Sequence, residues 1–123
     1  MGKHLRVLAI EDDPDLGLLY ESFLGAEGHQ VEVARDAPEG LRKLERHPDV
    51  VLLDLMLPGM DGYDFMLAMQ KRKDLREIPV IVVSASVPPG RHHISGASAV
   101  VHKPFEFDGL LRTIEGLSHQ HVA

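Results

Sequence analysis

This sequence predicts a doubly wound α/β fold: five parallel strands in the order 2-1-3-4-5 with helices on both faces. Three observations lead there. Short apolar runs alternate with segments of helical periodicity. The run Val50-Val51-Leu52-Leu53 is continuously apolar, the mark of a strand buried on both faces. Three runs end in charged residues, at the strand ends where open parallel sheets hold their ligands.

The strand candidates are residues 5–10, 30–34, 50–53, 79–83 and 99–101. Between the first two, Leu16, Leu19, Tyr20, Phe23 and Leu24 recur at helical spacing until Gly28. Asp13 before Pro14 reads as an N-cap with proline in the first turn. Ala37, Leu41 and Leu44 mark a shorter helix closed by Pro48. A third, carrying Tyr63, Met66, Leu67 and Met69, is entered through the Pro58-Gly59 turn and capped by Asp61. Between Ser84 and Ala99, Pro88-Pro89-Gly90 and Gly96 leave room for about one helical turn. The fourth helix is therefore expected to be short or irregular. Phe107, Leu110, Leu111, Ile114 and Leu117 stripe a final helix, with 118–123 expected as a frayed tail.

Bulk properties narrow the function. The 123 residues make one domain, spanning 1–123. Cysteine is absent, which removes disulfides and thiolate metal sites. The net charge of −6 argues against nucleic-acid binding, which needs basic patches. No apolar stretch approaches the ~20 residues of a membrane span. Residues 1–5 run into the first strand without a signal peptide, and Arg6 stands where a myristoylation signal needs Ser or Thr. Met1 argues against a preceding segment. The expectation is a cytoplasmic protein without membrane or nucleic-acid contacts.

The chemistry gathers at the strand ends. Glu11 and Asp12 follow the first strand and Asp54 the third, neighbours across the switch point of the predicted sheet. Three carboxylates there repel one another unless a cation joins them, and oxygen-only donors favour Mg²⁺ over zinc or copper. Asp54 is a metal ligand or a nucleophile able to form an aspartyl phosphate. Lys103, followed by Pro104 in a turn that could hold a cis peptide, suits a phosphate oxygen or Asp54 itself. Ser84, followed by the small Ala85, can hydrogen-bond a phosphoryl oxygen. Asp13 and Asp15 read mainly as helix-end acids. His92-His93 lacks further ligands at suitable spacing and reads as solvated loop.

Together, the segments Val7–Asp13, Asp54–Gly62, Val83-Ser84-Ala85 and His102-Lys103-Pro104-Phe105 resemble the receiver domain of two-component response regulators, the CheY-like superfamily with a flavodoxin-like (βα)5 fold. The resemblance implies that Asp54 accepts a phosphoryl group from a histidine kinase or histidine phosphotransfer protein, and that a downstream protein reads the result by contact. It further implies that Asp12 touches Mg²⁺ directly, Glu11 acts largely through water, and the Met56 carbonyl adds a ligand. Ser84 and Lys103 would contact the phosphoryl oxygens. The family's switch pairs the hydroxyl residue with an aromatic three positions before the lysine, which here is Val100. The 86–98 segment is the expected bistable element. Residues two beyond the phosphoacceptor and the hydroxyl tune phosphoryl lifetime; Met56 and Ser86 orient water poorly, so slow self-dephosphorylation is expected.

Three other classes compete. A phosphohydrolase using an Asp nucleophile usually has a second acid two residues on, where this chain has Met56. A flavodoxin-like cofactor carrier would need a phosphate-cradling loop where Glu11-Asp12-Asp13 would repel a phosphate. A receiver-like module that is never phosphorylated would not need the full acid, hydroxyl and lysine set. The expected protein is not a turnover enzyme.

Overall fold

The computed structural model describes residues 4–85 and 94–121, with side chains to residue 117. Strands β1 (Arg6–Ile10), β2 (Gln30–Ala34), β3 (Val50–Leu53), β4 (Val80–Ser84) and β5 (Ala99–His102) form one parallel sheet in the order β2-β1-β3-β4-β5. Among the described residues four α-helices accompany it: α1 (Pro14–Ala26), α2 (Ala37–Lys43), α3 (Gly62–Gln70) and α4 (Phe107–His121). The predicted architecture and strand order hold.

Strand alternation divides the core in two, because successive side chains point to opposite faces. Leu8, Ile10, Val51, Leu53, Val80 and Val82 meet Ala37, Phe65, Met66 and Met69 of α2 and α3. Val7, Ala9, Val50, Leu52, Ile81 and Val83 meet Tyr20 and Leu24 of α1 and Leu110 and Ile114 of α4. Central β3 is thus apolar at every position, and its neighbours β1 and β4 are apolar except for Arg6 at the start of one and Ser84 at the end of the other.

Asp13 and Asp61 act as the caps read from the sequence, and Asp36 is a third that was not read there. Asp13, Asp36 and Asp61 cap α1, α2 and α3, their carboxylates accepting the N–H of Asp15, Glu39 and Asp64. Such caps each contribute about 1 kcal/mol. Pro48 ends the second helical segment as expected, but less abruptly. After Lys43 the chain tightens into a 3₁₀ turn, Leu44–Arg46, and His47 adopts φ 51°. The residue before a proline is driven out of the right-handed helical region.

Several boundaries differ from expectation: β1 and β4 start one residue later, at Arg6 and Val80, and three ends run further. Ser84 is the last residue of β4, paired with His102, rather than a residue beyond the strand. For the same reason β5 reaches His102. Helix α4 continues to His121, through part of the expected tail; residues 118–121 contain no proline or glycine to stop it. The expected short fourth helix and the His92-His93 pair fall in 86–93, outside the described residues. Of that connection, Ile94 is buried and Gly96 has φ +92°.

One buried polar group was not foreseen. The His29 side chain is fully enclosed. Its Nδ1 accepts the Leu5 N–H at 3.1 Å, so the ring hydrogen sits on Nε2, which donates to Glu115 Oε2 at 3.1 Å. The imidazole therefore ties the entry to β1 to the middle of α4.

Candidate functional site

The register of the sheet brings the residues after the strands together. Ile10 pairs with Leu53 and Leu53 with Val82. The pairing continues one rung past the strands. Glu11 N–H donates to Ala34 O at 2.8 Å, Asp54 N–H to Ile10 O at 3.2 Å, and Lys103 N–H to Ser84 O at 3.2 Å. Glu11, Asp54, Ser84 and Lys103 therefore occupy one carboxyl-terminal edge, as predicted.

Asp54 sits at the centre, 8 % exposed. Its Oδ1 accepts the Met56 N–H at 3.0 Å and the Ser84 hydroxyl at 3.1 Å. Its Oδ2 accepts from Lys103 Nζ at 2.9 Å. The same ammonium donates to Glu11 Oε1 at 2.8 Å, while Glu11 Oε2 accepts the Asp13 N–H at 3.1 Å. The carboxylates of Glu11 and Asp54 are therefore bridged by a built-in cation. Sequence reasoning paired Lys103 with Asp54 or a phosphate and missed its bond to Glu11. The signal was available: neighbouring strand-end acids and a strand-end lysine must share charge.

Burial raises the Glu11 pKa above its usual range; the hydrogen bonds from Lys103 and Asp13 and the lysine charge only partly offset this, and Asp54 adds to it. Lys103 is pulled two ways. Burial, the largest single influence, disfavours its charge, but the hydrogen bonds and charges of Glu11 and Asp54 together outweigh it and raise its pKa. Tyr20, buried on α1, is also shifted up, first by burial and then by the charges of Glu11 and Asp54. Its place beneath the acids was not read from sequence, where it counted only as part of the apolar stripe of α1.

Glu11, Asp12 and Asp54 each offer a carboxylate oxygen, and these atoms lie within 4.8 Å of one another. Asp12 is exposed, whereas Glu11 and Asp54 are buried. Hard oxygen donors with this net charge fit a magnesium-like cation, as the sequence suggested. Met56 presents its N–H to Asp54, and the residue is 67 % exposed. Ser86 lies outside the described residues.

Gly62, first residue of α3, is a structural member of the site that the sequence reading passed over. A Cβ there would lie 2.8 Å from Leu55 Cα and 2.9 Å from the Asp54 carbonyl oxygen. Both are backbone atoms, and Gly62 N–H donates to Leu55 O at 3.0 Å, so neither side can yield freely. Gly62→Ala should therefore displace the Asp54 loop and destabilise the fold by about 1–3 kcal/mol, the usual range for overpacking. Urea unfolding measures the loss, and backbone amide shifts of residues 54–56 report the displacement.

The fold and this edge define a receiver-type module. The response regulator receiver domain model matches residues 7–115, and the chain belongs to that family. It is 33% identical over 118 residues to the transcriptional regulatory protein TrcR of Mycobacterium tuberculosis, covering 94% of this chain and 46% of TrcR. It is also 33% identical over 117 residues to the response regulator PleD of Caulobacter vibrioides, covering 92% of this chain and 26% of PleD. The chain thus spans about half the length of the first relative and a quarter of the second. Among solved structures, the chemotaxis response regulator CheY4 of Vibrio cholerae superposes with a TM-score of 0.84 at 26% identity, covering 94% of this chain and 99% of that one. The receiver domain of a Pseudomonas aeruginosa sensor histidine kinase, with magnesium coordinated in its active-site cleft, gives 0.85 at 26% identity, covering 95% of this chain and 99% of that one. No helix among the described residues is long and apolar enough to cross a membrane.

Proposed function

We propose that this receiver domain accepts a phosphoryl group on Asp54 and passes the signal on by protein contact. The observation that carries the reading is the convergence of Ser84 and Lys103 on the two oxygens of a buried aspartate. An Asp54 oxygen forms a bond to phosphorus, and the bond from phosphorus to the donor breaks. With a phosphohistidine donor the electron pair returns to the imidazole, which takes up a proton. Ser84 Oγ and Lys103 Nζ already aim at this carboxylate and then follow the new phosphoryl oxygens. Their role is orientation and charge neutralisation, the main needs of phosphoryl transfer. Glu11, Asp12 and Asp54 would hold Mg²⁺, with the Met56 carbonyl as a further ligand. When bound, the ion supplies positive charge to the transferring group.

The same reading makes the protein a stoichiometric phosphoacceptor rather than a turnover enzyme. Its donor would be a histidine kinase or histidine phosphotransfer protein, its site of action the cytoplasm, and its target another protein.

Incubation with acetyl phosphate and Mg²⁺ tests this. The intact mass should rise by one phosphoryl group, and the gain should vanish in Asp54→Asn or after chelation. Continuous release of phosphate over many equivalents would instead indicate a phosphohydrolase, and no gain a module that is never phosphorylated. Once formed, the label should decay slowly, because the Met56 side chain has no group to orient water. Substituting Met56→Glu should shorten its half-life, as followed by mass after donor removal.

A further inference from the structure

Two routes lead away from Asp54, and strand alternation sends them to opposite faces. Ser84 continues the series Val80 and Val82, which packs toward α2 and α3, and Val100 packs there too. Lys103 continues the series Ala99 and Val101, which packs toward α1 and α4. On the first route the residue at position 100 is a half-buried, β-branched valine, stiff about χ1 and with no ring to swing. The second route leads into aromatic packing. The chain has four Phe and two Tyr, and four of these rings form one stack beside Lys103. Tyr20 and Phe105 lie 6.3 Å apart between centroids, Phe105 and Phe107 5.1 Å, and Phe107 and Phe23 4.4 Å. Tyr20 is buried and feels the charges of Glu11 and Asp54. Phe23, at the other end, is 51 % exposed on α1. Lys103 also shares a cleft of about 450 Å³ with Leu16, Leu19, Pro104, Phe105 and Phe107.

From this juxtaposition we infer that the state of Asp54 is transmitted to the α1–α4 face, through Lys103 and the Phe105–Phe107–Phe23 stack, rather than through position 100. The inference rests on the phosphoacceptor reading. In the unmodified protein Lys103 is fixed between Glu11 and Asp54. A phosphoryl group moves the anion it pairs with outward, so the lysine stem changes course along the wall it shares with Phe105 and Phe107. Ring pairs prefer discrete offset or edge-on arrangements, so a displaced member repacks its neighbours instead of deforming smoothly.

Phe23→Trp introduces the only tryptophan in the chain and reports from the outer end of the stack. With acetyl phosphate and Mg²⁺, the mass gain and a change in indole emission should appear together. Adding Phe105→Leu should leave the mass gain intact and abolish the emission change. Amide exchange in the unsubstituted chain provides a second readout that no altered side chain can distort. Protection should change in residues 14–26 and 103–111. A mass gain with unchanged emission, or with exchange changes confined to 94–102, would overturn the route and leave the phosphoacceptor reading standing. Emission that persists at full size with Phe105→Leu would also overturn it. Absence of any mass gain would overturn both.

Discussion

Lys103→Met should destabilise the metal-free protein by about 3 kcal/mol, near the lower end of what breaking a buried ion pair costs. The lysine side chain is 21 % exposed, but Glu11 and Asp54 beneath it are almost fully enclosed. Removing the ammonium leaves both carboxylates without their shared cation. Two conditions should restore stability. Mg²⁺ should do so, because the three acids gain a replacement charge and a ligand that binds only the folded state stabilises it. Acid should narrow the gap to the unsubstituted protein. Glu11 already has a raised pKa, so the folded state holds its proton more tightly than the unfolded chain does, and lowering the pH favours folding. The alkaline side carries the opposite test. Lys103 is raised from its ordinary 10.5 and Tyr20 from 10.0, so their stabilising contributions are complete below those values and fade as the pH climbs past them. The urea midpoint of the unsubstituted protein should fall above about pH 10, and Lys103→Met combined with Tyr20→Phe should flatten that limb. A metal-free Lys103→Met protein as stable as its parent at pH 7 would contradict the bridging role.

Phe65→Ala should cost about 3–5 kcal/mol, the range for emptying a large aromatic site in a packed core. The ring is completely buried against the sheet on the α2–α3 side. A Cβ added to Gly40 would approach it at 3.1 Å, which shows how tightly α2 closes over it. Such a loss is a large fraction of the ~5–15 kcal/mol that holds a domain together. The melting temperature should drop by more than about 10 °C. Because Phe65 anchors the helix whose start, Asp61-Gly62, backs the Asp54 loop, phosphoryl uptake should slow even below the transition. Thermal unfolding by circular dichroism and uptake at low temperature separate the two effects. A drop of only a few degrees would mean that the site collapses around the cavity.

The order of the sheet was legible because its signals are local and redundant: apolar runs, aspartate caps and punctuating prolines all agree. The functional edge was legible for a related reason. A parallel sheet aligns its strand ends, so charged residues ending different apolar runs must meet wherever those strands are neighbours. What escaped notice depends on partners distant in sequence. The Lys103–Glu11 bond spans 92 residues, and only the register decides that the ammonium bridges two acids rather than one. Gly62 was passed over because its constraint is the backbone of Leu55, not its own torsion angles. Tyr20 looked like one more apolar position until the charges above it were in place. The end of α4 went wrong for a plainer reason: polar composition at residues 118–121 suggested fraying, whereas nothing there forbids helix.

The enclosed ring of His29 offers something practical. With one nitrogen receiving an amide hydrogen from Leu5 and the other giving its own to Glu115, the imidazole is locked in a single tautomer. A hydrogen held in that way exchanges with solvent only when the helix lifts from the sheet. The side-chain nitrogen resonances of this residue should therefore serve as a natural spectroscopic gauge of whether α4 is seated, with no label added to the chain.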